Sequence, residues 1–256
     1  MKIGLSLSPG GLLLPYHCGV LHCIQQQQDQ HHRLDLGIVA GSSAGSIAAA
    51  AHGCGVPPLK ALDATIEISD YCQINHQNQA RGRLLPLLEH HMESLIGEEE
   101  FQHLLQSGAS STKTGVAYHQ IFPRRQSHLQ CDFVSREDLF KAVSYSCMFP
   151  FFTTQWPCLV DWDPIERERD FDYDKDGSDS IRNNTRRGSK RRWRGLKIPH
   201  VFVDGYFTEP RERFGCPDLS QLISEHRFES GTAADPGRDD RTQEQEKQEP
   251  SQPLVD

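Results

Sequence analysis

Nowhere does this chain offer 18 consecutive apolar, uncharged residues, so no membrane-spanning helix is expected. An excess of positive charge is missing too. Its 27 Lys and Arg stand against 35 Asp and Glu, a formal net charge of −8, which argues against nucleic-acid binding as the main function. The eight cysteines contain no C-x-x-C pair, and reduced, mostly buried thiols packing as small hydrophobes are the expected state. Large apolar side chains nearly vanish from residues 163 to 195 and 227 to 256, which lowers the hydrophobic fraction to 36%. The rest is normally rich. Residues 1–160, completed by 196–225, can therefore build a sizeable core. The expected organisation is one domain over 1–226 with a charged flexible insertion at about 163–195, followed by a disordered polar tail over 227–256. The opening "MKIGLSLSPGGLLLPYHCGVL" superficially resembles a secretory signal, but Ser6, Ser8, Pro9, Gly10 and Gly11 interrupt its apolar run, so it reads as part of the fold.

What is present begins with alternation. "KIGLSLS" places Ile3, Leu5 and Leu7 on one side of a strand that "PGG" ends. "LLLPYHCGVLHCIQQQQ" (12–28) has helical spacing, with Pro15 in the first turn, where its missing N–H matters least. "LGIVAG" (36–41) is a continuous apolar run suited to a strand buried on both faces, and "AGSIAAAAHG" is a helix with a glycine stop. Strand, helix, strand, helix predicts a parallel sheet with helices packed on it. Residues 58–76 and 84–106 read as helices, and "TGVAYHQIF" and "HLQCDFVS" as an adjacent strand pair. Ser135 and Asp138 form a capping box that opens the helix "REDLFKAVSYSC". "IPHVFVDG" (198–205) returns to strand and ends in Asp-Gly.

The chemistry concentrates at residues 37–53, "GIVAGSSAGSIAAAAHG". Gly41-Ser42-Ser43-Ala44-Gly45 fits G-x-S-x-G, the strained strand-to-helix turn that presents a serine hydroxyl outward. Chance produces this pattern about once in ten chains of such length, so the buried strand before it and the small-residue helix after it decide the reading. The helix N-terminus offers N–H groups and the positive end of its dipole to a developing oxyanion. Gly10 and Gly11, at the end of the first strand, can supply further unhindered N–H donors. In a parallel sheet, both sites open on the same edge.

Taken together, "SLSPGGLLLPYHCGVL", "GSSAGS", "REDLFKAVSYSCMFPFF" and "VDG" resemble the patatin-like phospholipase family in order and spacing over residues 2–210. That resemblance implies a three-layer α/β/α fold with a mostly parallel central sheet and hydrolysis of lipid acyl esters by a Ser-Asp dyad. On this reading Ser43 is the nucleophile, Asp204 the base, and Gly10 and Gly11 belong to the oxyanion hole, with Gly41 and Gly45 shaping the elbow. No cofactor or metal is expected. The chain departs from the family pattern at Pro9, Leu14 and Tyr206.

Other signals are weaker. "DYDKDGSDSIRN" begins like an EF-hand loop, but Asn183 stands where a bidentate Glu belongs. "RRGSKRRWR" (186–194) can touch anionic headgroups, and "MFPFF" with Trp156 can line an acyl groove or dip into lipid. His90 and Glu93 lie one turn apart without H-E-x-x-H. The expectation is a serine acyl hydrolase on lipid esters, cytoplasmic and peripherally associated with a membrane or lipid-droplet surface. The alternative is a catalytically weak relative that binds lipid or protein. A Ser-Asp-His triad is disfavoured, because His226 is the only histidine after Asp204.

Overall fold

The computed structural model describes residues 2–31, 35–77, 79–110, 112–162, 198–208, 213 and 215–220. The insertion at 163–195, with its EF-hand-like and basic stretches, and the tail from 227 lie outside these residues. Strands β1 (Lys2–Leu7) and β2 (Asp35–Ser42) pair in parallel, with Leu7 opposite Gly41. Residues Leu36 to Ser42 are all buried, as a continuous apolar run requires. A 3-10 turn at Gly11–Leu13 leads into helix α1 (Leu14–His31), and β2 leads into α2 (Ala44–Gly53). Ala48, Ala49 and Ala50 are at most 1% exposed, so α2 lies close against the sheet on side chains no larger than a methyl.

Helix α3 (Pro58–His76) matches its expected span. The stretch 84–106 is not one helix. It divides into α4 (Leu84–Leu95) and α5 (Glu98–Ser110), because Ile96 turns extended and the Gly97 N–H bonds the Glu100 carboxylate at 2.9 Å. Glu98, Glu99 and Glu100 then complement the positive end of the α5 dipole. Helix α6 (Arg136–Ser146) starts as its capping box predicts, with Ser135 Oγ accepting from the Asp138 N–H at 3.1 Å.

The remaining strands are β3 (Lys113–Phe122), β4 (Gln126–Gln130), β5 (Leu159–Asp161) and β6 (His200–Val203). The sheet they complete is mixed, which corrects the expectation of a mostly parallel one. β1–β2 and β2–β3 are parallel, whereas β3–β4, β3–β6 and β5–β6 are antiparallel. The βαβ argument reaches only the first strands. β4 follows β3 through a short hairpin connection, which forces antiparallel pairing. The register also fixes where β6 lies. β4 pairs with residues 116–120 of β3, overlapping the partners of both β2 and β6, so β2 and β6 share the opposite edge of β3, end to end.

Most buried side chains form one cluster that includes Val39, Val116, Leu139, Val143 and Met148. The six helices form one connected group around α2. On the other face of the sheet, Ile38 and Ala40 pack with Leu219. Among the described residues, the result is an α/β domain with a central mixed sheet flanked by helices; the third layer of an α/β/α arrangement is not among them.

Candidate active site

The turn between β2 and α2 is strained where the sequence places its serine. Ser43 has φ 51° and ψ −125°, a left-handed conformation rarely adopted by a residue with a side chain. The flanking glycines are explained by contact. A Cβ on Gly41 would stand 2.2 Å from the carbonyl carbon of Gly45, and one on Gly45 would stand 2.5 Å from the Leu7 carbonyl oxygen. Their absence lets the first turn of α2 close over β2 and against the end of β1. The loop carrying Gly10 and Gly11 continues from that same end of β1.

The antiparallel run of β6 then delivers the aspartate. Ser42 pairs with Ala117 and Val203 with His119, so the two strand ends meet across a single residue of β3, Tyr118. Ser43 and Asp204, each one residue further on, face each other at this junction. Ser43 Oγ donates to Asp204 Oδ2 at 2.8 Å, and the Tyr206 N–H donates to Asp204 Oδ1 at 2.7 Å. Asp204 is fully buried and Ser43 is 9% exposed. Burial pushes the Asp204 carboxyl up to about 6, opposed only in part by these two hydrogen bonds.

Other groups, invisible in the motif reading, hold the elbow in place. Ser146 Oγ, at the end of α6, accepts from the Ser43 N–H at 2.8 Å and donates to the Ala117 carbonyl at 2.6 Å. Ser46 Oγ donates to the Ser43 carbonyl at 2.7 Å, and Ser42 Oγ donates to the Gly215 carbonyl. Gly205 is needed because a Cβ there would stand 2.4 Å from the Ala117 oxygen. The available signal was the polar pair Ser144 and Ser146 near the end of α6, and it does not tell that Ser144 donates to the Glu89 carboxylate at 2.7 Å while Ser146 meets backbone.

Gly10 and Gly11 lead into α1 as the sequence suggests. Gly11 has φ 52° and open space on its side-chain side, and the Gly10 carbonyl accepts from the Leu13 N–H at 2.9 Å. Beneath Gly10 lies His17, whose Nε2 is buried without a hydrogen-bond partner among the described residues and whose burial favours the neutral ring. Tyr206 is half exposed, its ring 6.4 Å from that of Phe149, so the carboxylate is capped by its backbone while the side chain points away to an aromatic rim. Among the described residues, no three His, Cys, Asp or Glu side chains are grouped to hold a metal, and no helix is long and apolar enough to cross a membrane.

The arrangement has the groups that acyl chemistry at a serine requires. It offers a strained serine hydroxyl, a buried carboxylate that accepts its hydrogen bond, and a helix N-terminus beside a glycine loop. Comparison with curated proteins and with solved structures found no match. The model of the family described as Patatin-like phospholipase matches residues 5–211, which takes in both strand ends, the elbow and Asp204, and the chain belongs to that family.

Proposed function

We propose that the protein is a serine acyl hydrolase that cleaves lipid ester bonds through a Ser43–Asp204 dyad. The observation that carries this reading is the 2.8 Å hydrogen bond from Ser43 Oγ to a carboxylate with no exposure to solvent. An ordinary aspartate, with a pKa near 4, is a poor base for a serine hydroxyl. Desolvation brings Asp204 to about 6, close to the value of about 6.5 for a free imidazole, so the carboxylate takes over the role that histidine has in a triad.

In the proposed cycle, Ser43 Oγ attacks the ester carbonyl carbon while its proton passes to Asp204 Oδ2. The carbonyl oxygen becomes an oxyanion, held by N–H groups of Gly10, Gly11 and the first turn of α2. Collapse expels the alcohol, which takes the proton from Asp204. Water, activated by the same carboxylate, attacks the acyl-serine and releases the carboxylic acid. The Ser43 N–H is already bonded to Ser146, and those of Ser46 and Ile47 to the Ser43 carbonyl, so the donors from α2 are the N–H groups of Ala44 and Gly45.

The surroundings favour a lipid substrate met at an interface. Leu12 and Leu13, directly after the glycine pair, are 70% and 65% exposed, Phe149 adds exposed apolar surface beside Tyr206, and Phe151 and Trp156 are exposed as well. Such residues suit peripheral contact with a membrane or lipid-droplet surface, with cytoplasmic location the matching expectation. The test is turnover of a panel of phospholipids, triacylglycerol and short-chain esters by wild type, Ser43→Ala, Asp204→Asn, His200→Asn and His226→Asn. The dyad requires loss in the first two variants and retention in the two histidine variants. Retained turnover in Asp204→Asn with loss in a histidine variant overturns it.

A further inference from the structure

The glycine loop after β1 rests on a histidine. His17, in the first turn of α1, is 5% exposed, and its Nε2 has no hydrogen-bond partner among the described residues. A Cβ on Gly10 would stand 3.2 Å from that Nε2 and 3.8 Å from Cδ2. This edge of the ring therefore lies under Gly10, on the side where a side chain would otherwise go. The ring also makes a backbone hydrogen bond to Ser8. Burial favours the neutral ring, which has a single N–H to give. Because Nε2 is unpaired, that N–H belongs to Nδ1 and donates to the Ser8 carbonyl, and Nε2 carries the lone pair.

Each peptide of the loop is then accounted for. The Ser8 carbonyl is turned inward, toward α1. Pro9 has no N–H, and its Cγ stands 3.1 Å from where a Cβ on Gly215 would lie, so the loop is held there by contact. The Gly10 carbonyl closes the 3-10 turn on the Leu13 N–H at 2.9 Å. In a trans peptide the N–H points opposite to the carbonyl, so the Gly11 N–H faces out of that turn. A buried acceptor left unpaired, as Nε2 is, weakens a fold, and an apolar side chain in its place would not. What the imidazole supplies and an apolar side chain lacks is the N–H given to Ser8.

We propose that His17 is a positioning residue: it holds the Ser8 carbonyl inward and fills the space under Gly10, and so fixes the loop with the Gly10 and Gly11 N–H groups presented to the oxyanion. It acts through the loop and takes no proton from Ser43. Its effect on turnover rests on the dyad reading; its pinning of the loop does not.

Two measurements on the full chain test this: kcat and KM on p-nitrophenyl butyrate, and amide hydrogen exchange at Leu13, whose N–H the Gly10 carbonyl accepts. The variants are His17→Leu, which removes the donor, and His17→Asn, whose side-chain amide can stand where Nδ1 does and donate to Ser8. His17→Met replaces His17→Leu should the latter lose the wild-type circular dichroism spectrum. In His17→Leu a lost hydrogen bond and a removed unpaired acceptor offset each other, so Tm should stay within about 3 °C of wild type. Its kcat should fall about ten- to a hundredfold with KM within about twofold, and Leu13 should exchange at least about tenfold faster. His17→Asn should restore both kcat and exchange. Unchanged kcat or unchanged exchange in His17→Leu overturns the proposal and leaves the dyad intact. Rate lost equally in His17→Leu and His17→Asn also overturns it, because a general base or a packing role gives that result. Loss of the fold in both apolar variants makes the role structural and overturns it too. If wild type turns over no ester, the dyad reading fails and exchange alone decides. Faster exchange in His17→Leu that His17→Asn reverses then supports the pinning, and exchange unaltered, or raised equally in both, overturns it.

Discussion

Replacing Asp204 with Asn should remove activity and stabilise the fold at the same time. Burial raises the Asp204 carboxyl from 3.8 to about 6. Between those values the folded protein holds a proton that the unfolded chain has released, so this group's contribution falls as pH rises from about 4 through 6. Above pH 6 the fold carries a desolvated negative charge. Roughly two pKa units correspond to a cost of about 3 kcal/mol, fully present at pH 7–8 and absent below pH 4. Asn keeps the shape and lacks the charge. Its oxygen can still accept from the Tyr206 N–H and its amide can donate to Ser43 Oγ, so neither hydrogen bond need be lost. Chemical denaturation of both proteins from pH 4 to pH 8 is the assay. The variant should equal wild type near pH 4 and exceed it by about 3 kcal/mol at pH 8, or about 6–12 °C in Tm for a domain of this size. A variant less stable at pH 8, or a difference that does not change with pH, refutes the argument that a buried charge at Asp204 is held against its own solvation.

Ser43→Ala should abolish ester turnover and leave the circular dichroism spectrum unchanged, since its Oγ bonds only within the site; hydrolysis assayed beside the spectrum checks both. Ser146→Ala leaves the buried Ser43 N–H and Ala117 carbonyl without their shared partner. It should cost about 1–3 kcal/mol in denaturant melts, and kcat should fall about ten- to a hundredfold as the elbow loosens. Gly45→Ala drives a Cβ into the backbone of Leu7 and Ser8, and urea denaturation should show a loss of about 3 kcal/mol or more. In wild type, activity should fall as pH drops through about 6, because catalysis needs the ionised Asp204; a pH–kcat/KM profile flat from 5 to 8 contradicts that assignment.

How far the sequence revealed this molecule depended on the range of each signal. The elbow was legible because its three residues are local. Gly41, Ser43 and Gly45 touch one another or the adjacent strand, and their spacing encodes the turn. The helix start at Ser135 was legible for the same reason. The single helix expected over 84–106 failed at Gly97, where a glycine followed by three glutamates was a stop and start signal outweighed by apolar periodicity on either side. The direction of β6 was not legible. Its apolar alternation predicts a strand, but no residue in "HVFV" states which partner it meets or which way it runs. That direction brings Asp204 to Ser43, so the family resemblance named a pair whose meeting the local pattern could not derive. Ser146 went unseen because its two partners lie 103 and 29 residues away in sequence.

The central claim is that Asp204 activates Ser43, and covalent labelling tests it most directly. Wild type, Ser43→Ala and Asp204→Asn are treated with a fluorophosphonate, and the adduct is located by peptide mass spectrometry across a pH series. The account predicts one adduct, on Ser43, with a labelling rate that falls below about pH 6 and nearly disappears in Asp204→Asn. Wild type that remains unlabelled, or a Ser43 adduct that forms equally fast without the Asp204 carboxylate, contradicts it.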